Sequence, residues 1–166
     1  DFVAEGEPSR FTVRQAGQPV ADVQWAIGGV HNQLNALATI AAAEHVGVSP
    51  TMAAQALTTF ENVKRRMEVR GTVNNITVYD DFAHHPTAIR TTVNGLRRQV
   101  GKARILAIFE PRSNTMKLGT MKAQLPWSLE EADLAFCHSG GLGWDAASAL
   151  APMGERAQVA DNIDGV

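Results

Sequence analysis

From residue 76 onward the sequence alternates short apolar runs with stretches of helical spacing, and no other feature narrows the possible folds as far. "ITVYD" leads into a helix opened by Pro86, the strongly apolar "RILAIF" into a helical stretch containing "KAQLPWSLEEA", and "DLAFCH" into a short helix near "DAASALA", before a last candidate strand, "RAQVA". Strands apolar on both faces, each followed by a helix, predict an α/β fold: a Rossmann-like, mostly parallel sheet with flanking helices. Pro126 interrupts the third helical stretch, because a proline inside a helix removes a donor and clashes with the preceding turn.

The first part of the chain reads differently. "RFTVRQAGQPVADVQWAIG", residues 10 to 28, alternates apolar and polar residues on both sides of "AGQP", which predicts a hairpin turning near Gly17 to Pro19. "HNQLNALATIAAAEHVG" then takes up helical spacing, with Leu34, Leu37, Ile40 and Ala41 on one side and Gly47 placed to end the helix. Ser49 and Pro50 signal the start of a second helix. After Val63 the period drops towards two, and Asn74 with Asn75 marks a turn between two strands. The change of period puts a domain boundary near Lys64, giving domains of residues 1–64 and 65–166. A further helix is expected where "DNIDGV" stops, which suggests truncation.

Composition limits the function. With 166 residues and 45% hydrophobic content the chain can bury a core, and a net charge of -2 without a basic stripe argues against a nucleic-acid surface. The single Cys137 rules out a disulfide framework or a paired-cysteine metal site within one chain. No segment approaches the roughly 20 apolar residues of a membrane span. The acidic "DFVAEGEP" is not a signal peptide, so the cytoplasm is the expected compartment.

In a parallel sheet every strand-to-helix loop emerges at the carboxyl ends of the strands, where open α/β sheets bind their ligands. Three loops qualify: "DDFAHHP" (80 to 86), "EPRSNTMK" (110 to 117) and "SGGLGWD" (139 to 145). Each has a plain reading. Asp80 and Asp81 suit turns and caps, His84 and His85 a solvated run, Arg112 a surface charge, and "GGLG" a tight turn. Each also has a functional one. Pro86 at the first helical position leaves backbone amides free for a phosphate or carboxylate, and Asp81 could accept ribose hydroxyls. A histidine beside the positive helix end tends to stay neutral, and the planar fork of Arg112 matches a carboxylate. In "HNQLN", Asn32 and Asn35 share a helix face, as do His31 and Asn35. Their carboxamides can answer the edge of an adenine, or one of the asparagines can cap the helix. "KRR" at 64 to 66 reads by default as a solvated linker.

Together these segments resemble the Mur ligases, the ATP-dependent amide-forming family of bacterial cell-wall synthesis. "GGVHNQLNALATIAAA" is similar to that family's adenine-contacting helix, "RRM" to its interdomain arginine, and "DDFAHHPTAI" to the entry of its carboxy-terminal domain. "DDFAHHPTAI" followed by "EPRSNTMKLGTMK" looks most like the branch that joins L-alanyl-γ-D-glutamyl-meso-diaminopimelate, the murein tripeptide, to UDP-N-acetylmuramic acid. The branch that adds L-alanine alone usually has tyrosine and glycine where Phe82 and Ala83 stand.

The resemblance implies that Asn32 and Asn35 contact adenine with His31 in support, that Arg66 meets the ATP phosphates, and that Asp81 meets the ribose. It implies that His84 and His85 act between nucleotide and peptide, and that Phe82, Arg112, Ser113 and Asn114 face the peptide. It also implies partners outside the sequence: a Gly-rich phosphate loop, Mg²⁺ ligands and a carbamylated lysine would precede Asp1, so no metal ligand is assigned here. The chain would then be the end of a central ATPase domain plus much of the carboxy-terminal domain, inactive by itself. The rivals are the L-alanine-adding relative, a non-catalytic Rossmann-type nucleotide-binding module, against which stands the lack of "GxGxxG" after any strand, and a pure interaction domain.

Overall fold

The structure, a computed structural model, describes residues 1–165. The chain forms two compact units, the first ending at Asp80 and the second beginning at Asp81.

In the first unit β1 (Phe2–Glu7), β2 (Arg10–Gln15) and β3 (Gln18–Gln24) form an antiparallel sheet in that order. β1 is a strand that the alternation from residue 10 onward does not reveal. The β2–β3 turn is Ala16–Gly17, with φ of 48° and 80°, one residue earlier than the expected start. Pro19 therefore lies inside β3, where the ladder shifts register between Val13 and Arg14. A bulge tolerates a residue that has no N–H to donate.

Helix α1 (Val30–His45) ends as its glycine predicts. The amide of Gly47 bonds the Glu44 carbonyl at 2.9 Å and that of Val48 the Ala43 carbonyl at 3.0 Å, with Gly47 at φ 94°. Its buried face is Gln33, Ala36, Leu37 and Ile40, while Leu34 is 58% exposed. At 100° per residue Leu34 sits roughly 110° from the centre of that face, too far round to share the burial of Leu37 and Ile40. Helix α2 (Pro50–Leu57) starts where Ser49 Oγ accepts from the Met52 amide at 3.3 Å. It buries Ala53, Ala54 and Leu57 in a core with Phe11, Val13 and Val23.

β4 (Glu68–Val73) and β5 (Ile76–Asp80) form a two-stranded antiparallel ribbon. Its two-residue turn is Asn74–Asn75, both left-handed at φ 49° and 62°, which asparagine tolerates better than most residues. The strand at 76 to 80 is thus present, but its ladder partner among the described residues is β4, not a strand of the parallel sheet.

The second unit holds the parallel sheet, β6 (Leu106–Phe109), β7 (Leu134–His138) and β8 (Ala157–Ala160), in that order. α3 (Pro86–Val100) buries Ile89 and Val93 in its core with Leu125, Leu129, Ala135, Cys137 and Leu150. Each of the Ile, Val and Leu side chains among them contributes about 1.5–3 kcal/mol when fully buried. Central β7 is covered well, with Ala135 and Cys137 at 0% exposure. β6 lies at an edge and one of its faces is open, with Leu106 at 48% and Ile108 at 71% exposure, where the sequence predicts cover on both.

The long helical stretch expected around Pro126 is broken. A 3₁₀ turn (Lys122–Gln124) leads into a short helix α5 (Leu125–Ser128), with Pro126 in its first turn, where a missing N–H does no harm. α4 (Asn114–Lys117) and α6 (Ala146–Leu150) complete the unit.

Candidate functional site

The loop into α3 is organised by its own polar side chains. Asp81 Oδ1 accepts from the Ala83 amide at 2.8 Å and from the Thr92 hydroxyl on α3 at 3.1 Å. The turn-forming role open to this residue is therefore realised, and the carboxylate is tied to the helix it precedes. Phe82 is exposed, and its ring lies 5.0 Å from that of His84 at 59°. His84 Nδ1 is 2.9 Å from the Phe82 carbonyl oxygen. His85 is the N-cap of α3: its backbone is extended, and its Nδ1 accepts from the Thr87 amide at 3.3 Å. Pro86 follows at the first helical position and is buried.

The loop after β6 meets this one. Ser113 caps α4 by accepting from the Met116 amide at 3.3 Å, and its hydroxyl donates to the His84 carbonyl oxygen at 3.2 Å. Arg112 is largely exposed, with its Nε 3.6 Å from Glu110 Oε1. The guanidinium therefore stands beside an acid of its own loop. Asn114 is exposed in the first turn of α4.

The loop after β7 closes on the second. Trp144 Nε1 donates to the Met116 carbonyl at 3.0 Å, and the ring lies so near Gly119 that a Cβ there would sit 2.7 Å from it. Asp145 then caps α6 through the Ser148 amide at 3.1 Å. The Ser148 hydroxyl, first, and this amide hold the Asp145 carboxyl below the usual range. At the end of β7, His138 Nδ1 is 3.9 Å from Glu110 Oε1.

Thr92, Glu110, His138 and Trp144 were not singled out from the sequence. Glu110 and Trp144 stand inside the quoted loops, but nothing about their spacing marks them. Thr92 and His138 matter through neighbours that only folding supplies.

In the first unit Asn32 Nδ2 donates to the Gly28 carbonyl at 2.8 Å, and no side chain caps α1. Asn35 is exposed, and its carboxamide makes no hydrogen bond among the described residues. His31 packs its ring over Gly29, where a Cβ would come within 2.7 Å. Gly29, at φ 91°, is thus required by both its backbone and its neighbour. Arg66 is exposed between two left-handed residues, Arg65 at φ 58° and Met67 at φ 50°. Asn62 Nδ2 donates to the Arg66 carbonyl at 2.6 Å, and the Arg65 amide donates to Glu68 Oε2 at 3.0 Å. The Arg65 amide is also the leading reason the Glu68 carboxyl lies below its usual range. The Arg66 guanidinium makes no ion pair among the described residues.

Cys137 is buried, and desolvation pushes its thiol up to about 11, which makes it a poor nucleophile. Among the described residues no group of three or more His, Cys, Asp or Glu could hold a metal ion, and no helix is long and apolar enough to cross a membrane.

Residues 65–165 match a family model described as "Mur ligase, glutamate ligase domain". A UDP-N-acetylmuramate–L-alanyl-gamma-D-glutamyl-meso-2,6-diaminoheptandioate ligase of Escherichia coli (strain K12) is 46% identical over 160 residues, covering 95% of this chain and 35% of that protein. The chain thus spans about a third of that relative's length. A UDP-N-acetylmuramate–L-alanine ligase of Bifidobacterium longum subsp. infantis is 48% identical over 97 residues, 58% of this chain and 19% of that protein. A murein peptide ligase of Psychrobacter arcticus superposes with a TM-score of 0.69 at 41% identity, covering 99% of this chain and 37% of that one.

Proposed function

The chain belongs to the Mur ligase family, and from that premise we propose that it is the carboxy-terminal part of an ATP-dependent ligase joining L-alanyl-γ-D-glutamyl-meso-diaminopimelate to UDP-N-acetylmuramic acid. The observation that carries this reading is the extent of likeness. It runs through 95% of the chain at 46% identity for the tripeptide ligase, whereas the L-alanine ligases reach 48% identity over only 58% of it and fall to 35% where they cover 78%. Residues 1–64 would end the central ATPase domain and 65–166 would form most of the ligase domain. A family match that starts at residue 65 supports that division. The cytoplasm, as the compartment of the uridine-linked substrate, belongs to the same proposal.

The chemistry assigned to such an enzyme forms an acyl phosphate from the muramyl carboxylate and the γ-phosphate of ATP, which the peptide amine then displaces. Positioning and charge neutralisation supply most of the rate. Asn35, with an unpartnered carboxamide, and Asn32, oriented by Gly28, would take the adenine edge, with His31 in support. Arg66 would take the phosphates and Asp81 the ribose. His84 and His85 would stand where the amine meets the activated carboxylate, and Phe82, Arg112, Ser113 and Asn114 would face the peptide. Among the described residues no group of three or more His, Cys, Asp or Glu could hold Mg²⁺, and the ligands of that ion would lie mainly in the rest of the polypeptide.

The test uses the full-length protein with UDP-N-acetylmuramic acid and ATP, offering either the tripeptide or free L-alanine and measuring phosphate release. Release that depends on the tripeptide is expected. Release that depends on L-alanine instead transfers the assignment to the alanine-adding branch, and release with neither refutes both.

A further inference from the structure

The adjacent histidines of "DDFAHHPT" are held in opposite tautomers. A carbonyl oxygen can only accept, so His84 Nδ1, 2.9 Å from the Phe82 oxygen, must carry a proton. In the neutral ring that leaves the lone pair on Nε2. A backbone amide can only donate, so His85 Nδ1, which receives the Thr87 N–H at 3.3 Å, must be bare. In the neutral ring of His85 the proton is therefore on Nε2. The two imidazoles turn unlike atoms outward: His84 offers a base and His85 a donor. The difference follows from backbone geometry, since His85 is the extended N-cap of α3 and His84 lies in the irregular loop before it.

We propose that His84 Nε2 is the proton acceptor for the attacking amine, and that His85 both caps α3 and acts as a hydrogen-bond donor, presenting its Nε2–H to an oxygen of the reacting groups. This rests on the ligase reading above. In the step assigned to His84, Nε2 takes one proton from the peptide's ammonium, and the freed lone pair forms the bond to the acyl carbon. The bond from that carbon to the phosphate oxygen breaks and the phosphate leaves with its electrons. The nitrogen's second surplus proton goes to the departing phosphate, and the imidazolium returns its own to water. His84 is equipped to hold the positive charge for that interval: Nδ1–H already points at a carbonyl, and the Phe82 ring stands 5.0 Å away. His85 could not accept a proton at Nδ1 without losing the Thr87 bond and placing a cation at the positive end of a helix of 15 residues. That division explains why two histidines in succession are not redundant.

The first measurement is independent of catalysis. In full-length protein labelled with ¹⁵N at the imidazoles and held in alkaline buffer, long-range proton–nitrogen spectra report which nitrogen is bare. His84 should show a bare Nε2 and His85 a bare Nδ1, each assigned by its disappearance in His84→Asn or His85→Asn. The same state at both rings, or the reverse pattern, overturns the proposal.

The second measurement is kinetic. An asparagine amide overlays the Nδ1 side of the ring, so His84→Asn keeps a donor for Phe82 and removes the base, while His85→Asn keeps an acceptor for Thr87. His84→Asn should lower kcat by about 10²–10⁴-fold, the usual yield of a general base, with little change in the KM for tripeptide. His85→Asn should lower kcat at least tenfold less than that. Equal losses in the two variants overturn the division of roles. Wild-type protein that forms no amide at all overturns the ligase reading instead, and leaves the tautomer result standing on its own.

Discussion

The Ser113 hydroxyl donates to the His84 carbonyl oxygen across 3.2 Å, while the same oxygen atom of Ser113 accepts from the Met116 amide that it caps. One side chain thus ends the loop after β6, starts α4 and fastens both to the loop that precedes α3.

Ser113→Ala should therefore lower stability by about 1–2 kcal/mol, the sum expected for a lost cap and a modest hydrogen bond. In the full-length enzyme it should also raise the KM for tripeptide more than that for ATP. Urea unfolding and initial rates measure the two effects. Ser113→Thr, which keeps the hydroxyl, should restore most of both.

Gly119→Ala places a methyl group 2.7 Å from the Trp144 ring at a residue whose φ is 69°. Left-handed strain and a displaced ring should together cost about 1–3 kcal/mol. Trp144→Phe keeps an aromatic side chain but removes the five-membered ring that lies against Gly119 together with the bond to Met116, so it should cost about 1–3 kcal/mol. A larger loss of melting temperature in Trp144→Phe than in Gly119→Ala would mean that the indole, through its packing and its N–H together, holds the third loop more than the left-handed glycine does.

The Asp133 carboxyl is held below its ordinary range, first by the Ile105 amide and then by Arg97, whose guanidinium also reaches the carbonyls of Gly101, Ala103 and Glu131. A carboxyl depressed in the folded state stabilises the protein wherever it is ionised. That contribution is complete above the unfolded value, about 3.9, and is lost as pH falls through the lower folded one. The melting temperature should be flat near neutrality and fall as pH drops below about 4. Asp133→Asn should lower the neutral plateau and make the acid decline shallower. Glu68 and Asp145 are depressed in the same direction, so part of the decline should remain.

Arg66→Ala separates catalysis from folding better than a change at Asp81. The Arg66 side chain is exposed and makes no ion pair among the described residues, whereas Asp81 holds both Ala83 and Thr92. In full-length enzyme Arg66→Ala should cut turnover about 10³-fold or more, as removing a cation from transferring phosphate does, at unchanged thermal stability. Turnover near that of the parent would remove Arg66 from the phosphate assignment.

Features built from a few neighbouring residues were legible before any coordinates. Asn74 and Asn75 tolerate the left-handed pair of angles that a two-residue hairpin requires, Gly47 accepts the end of α1, and Ser49 with Pro50 starts α2. The parallel sheet of the second unit was legible for the same reason, since its strands and helices differ in apolar period. The register of β2 on β3 was less so, because the bulge that absorbs Pro19 depends on the partner strand as much as on the proline.

Tertiary structure alone decided which surfaces meet. Nothing near residues 76 to 80 states that this strand pairs with β4 and lies outside the sheet of β6, β7 and β8. Nothing near Glu110 states that His138 lies within reach of it, and nothing in "SGGLGWD" states that Trp144 covers Gly119. The physical reason is range. Backbone angles, caps and turns are settled within about one helical turn of chain, where each residue's own sterics dominate. Pairing between loops remote in sequence is settled by which apolar faces bury together, and a hydrogen-bond donor acquires a role only once that burial has set its partner in front of it.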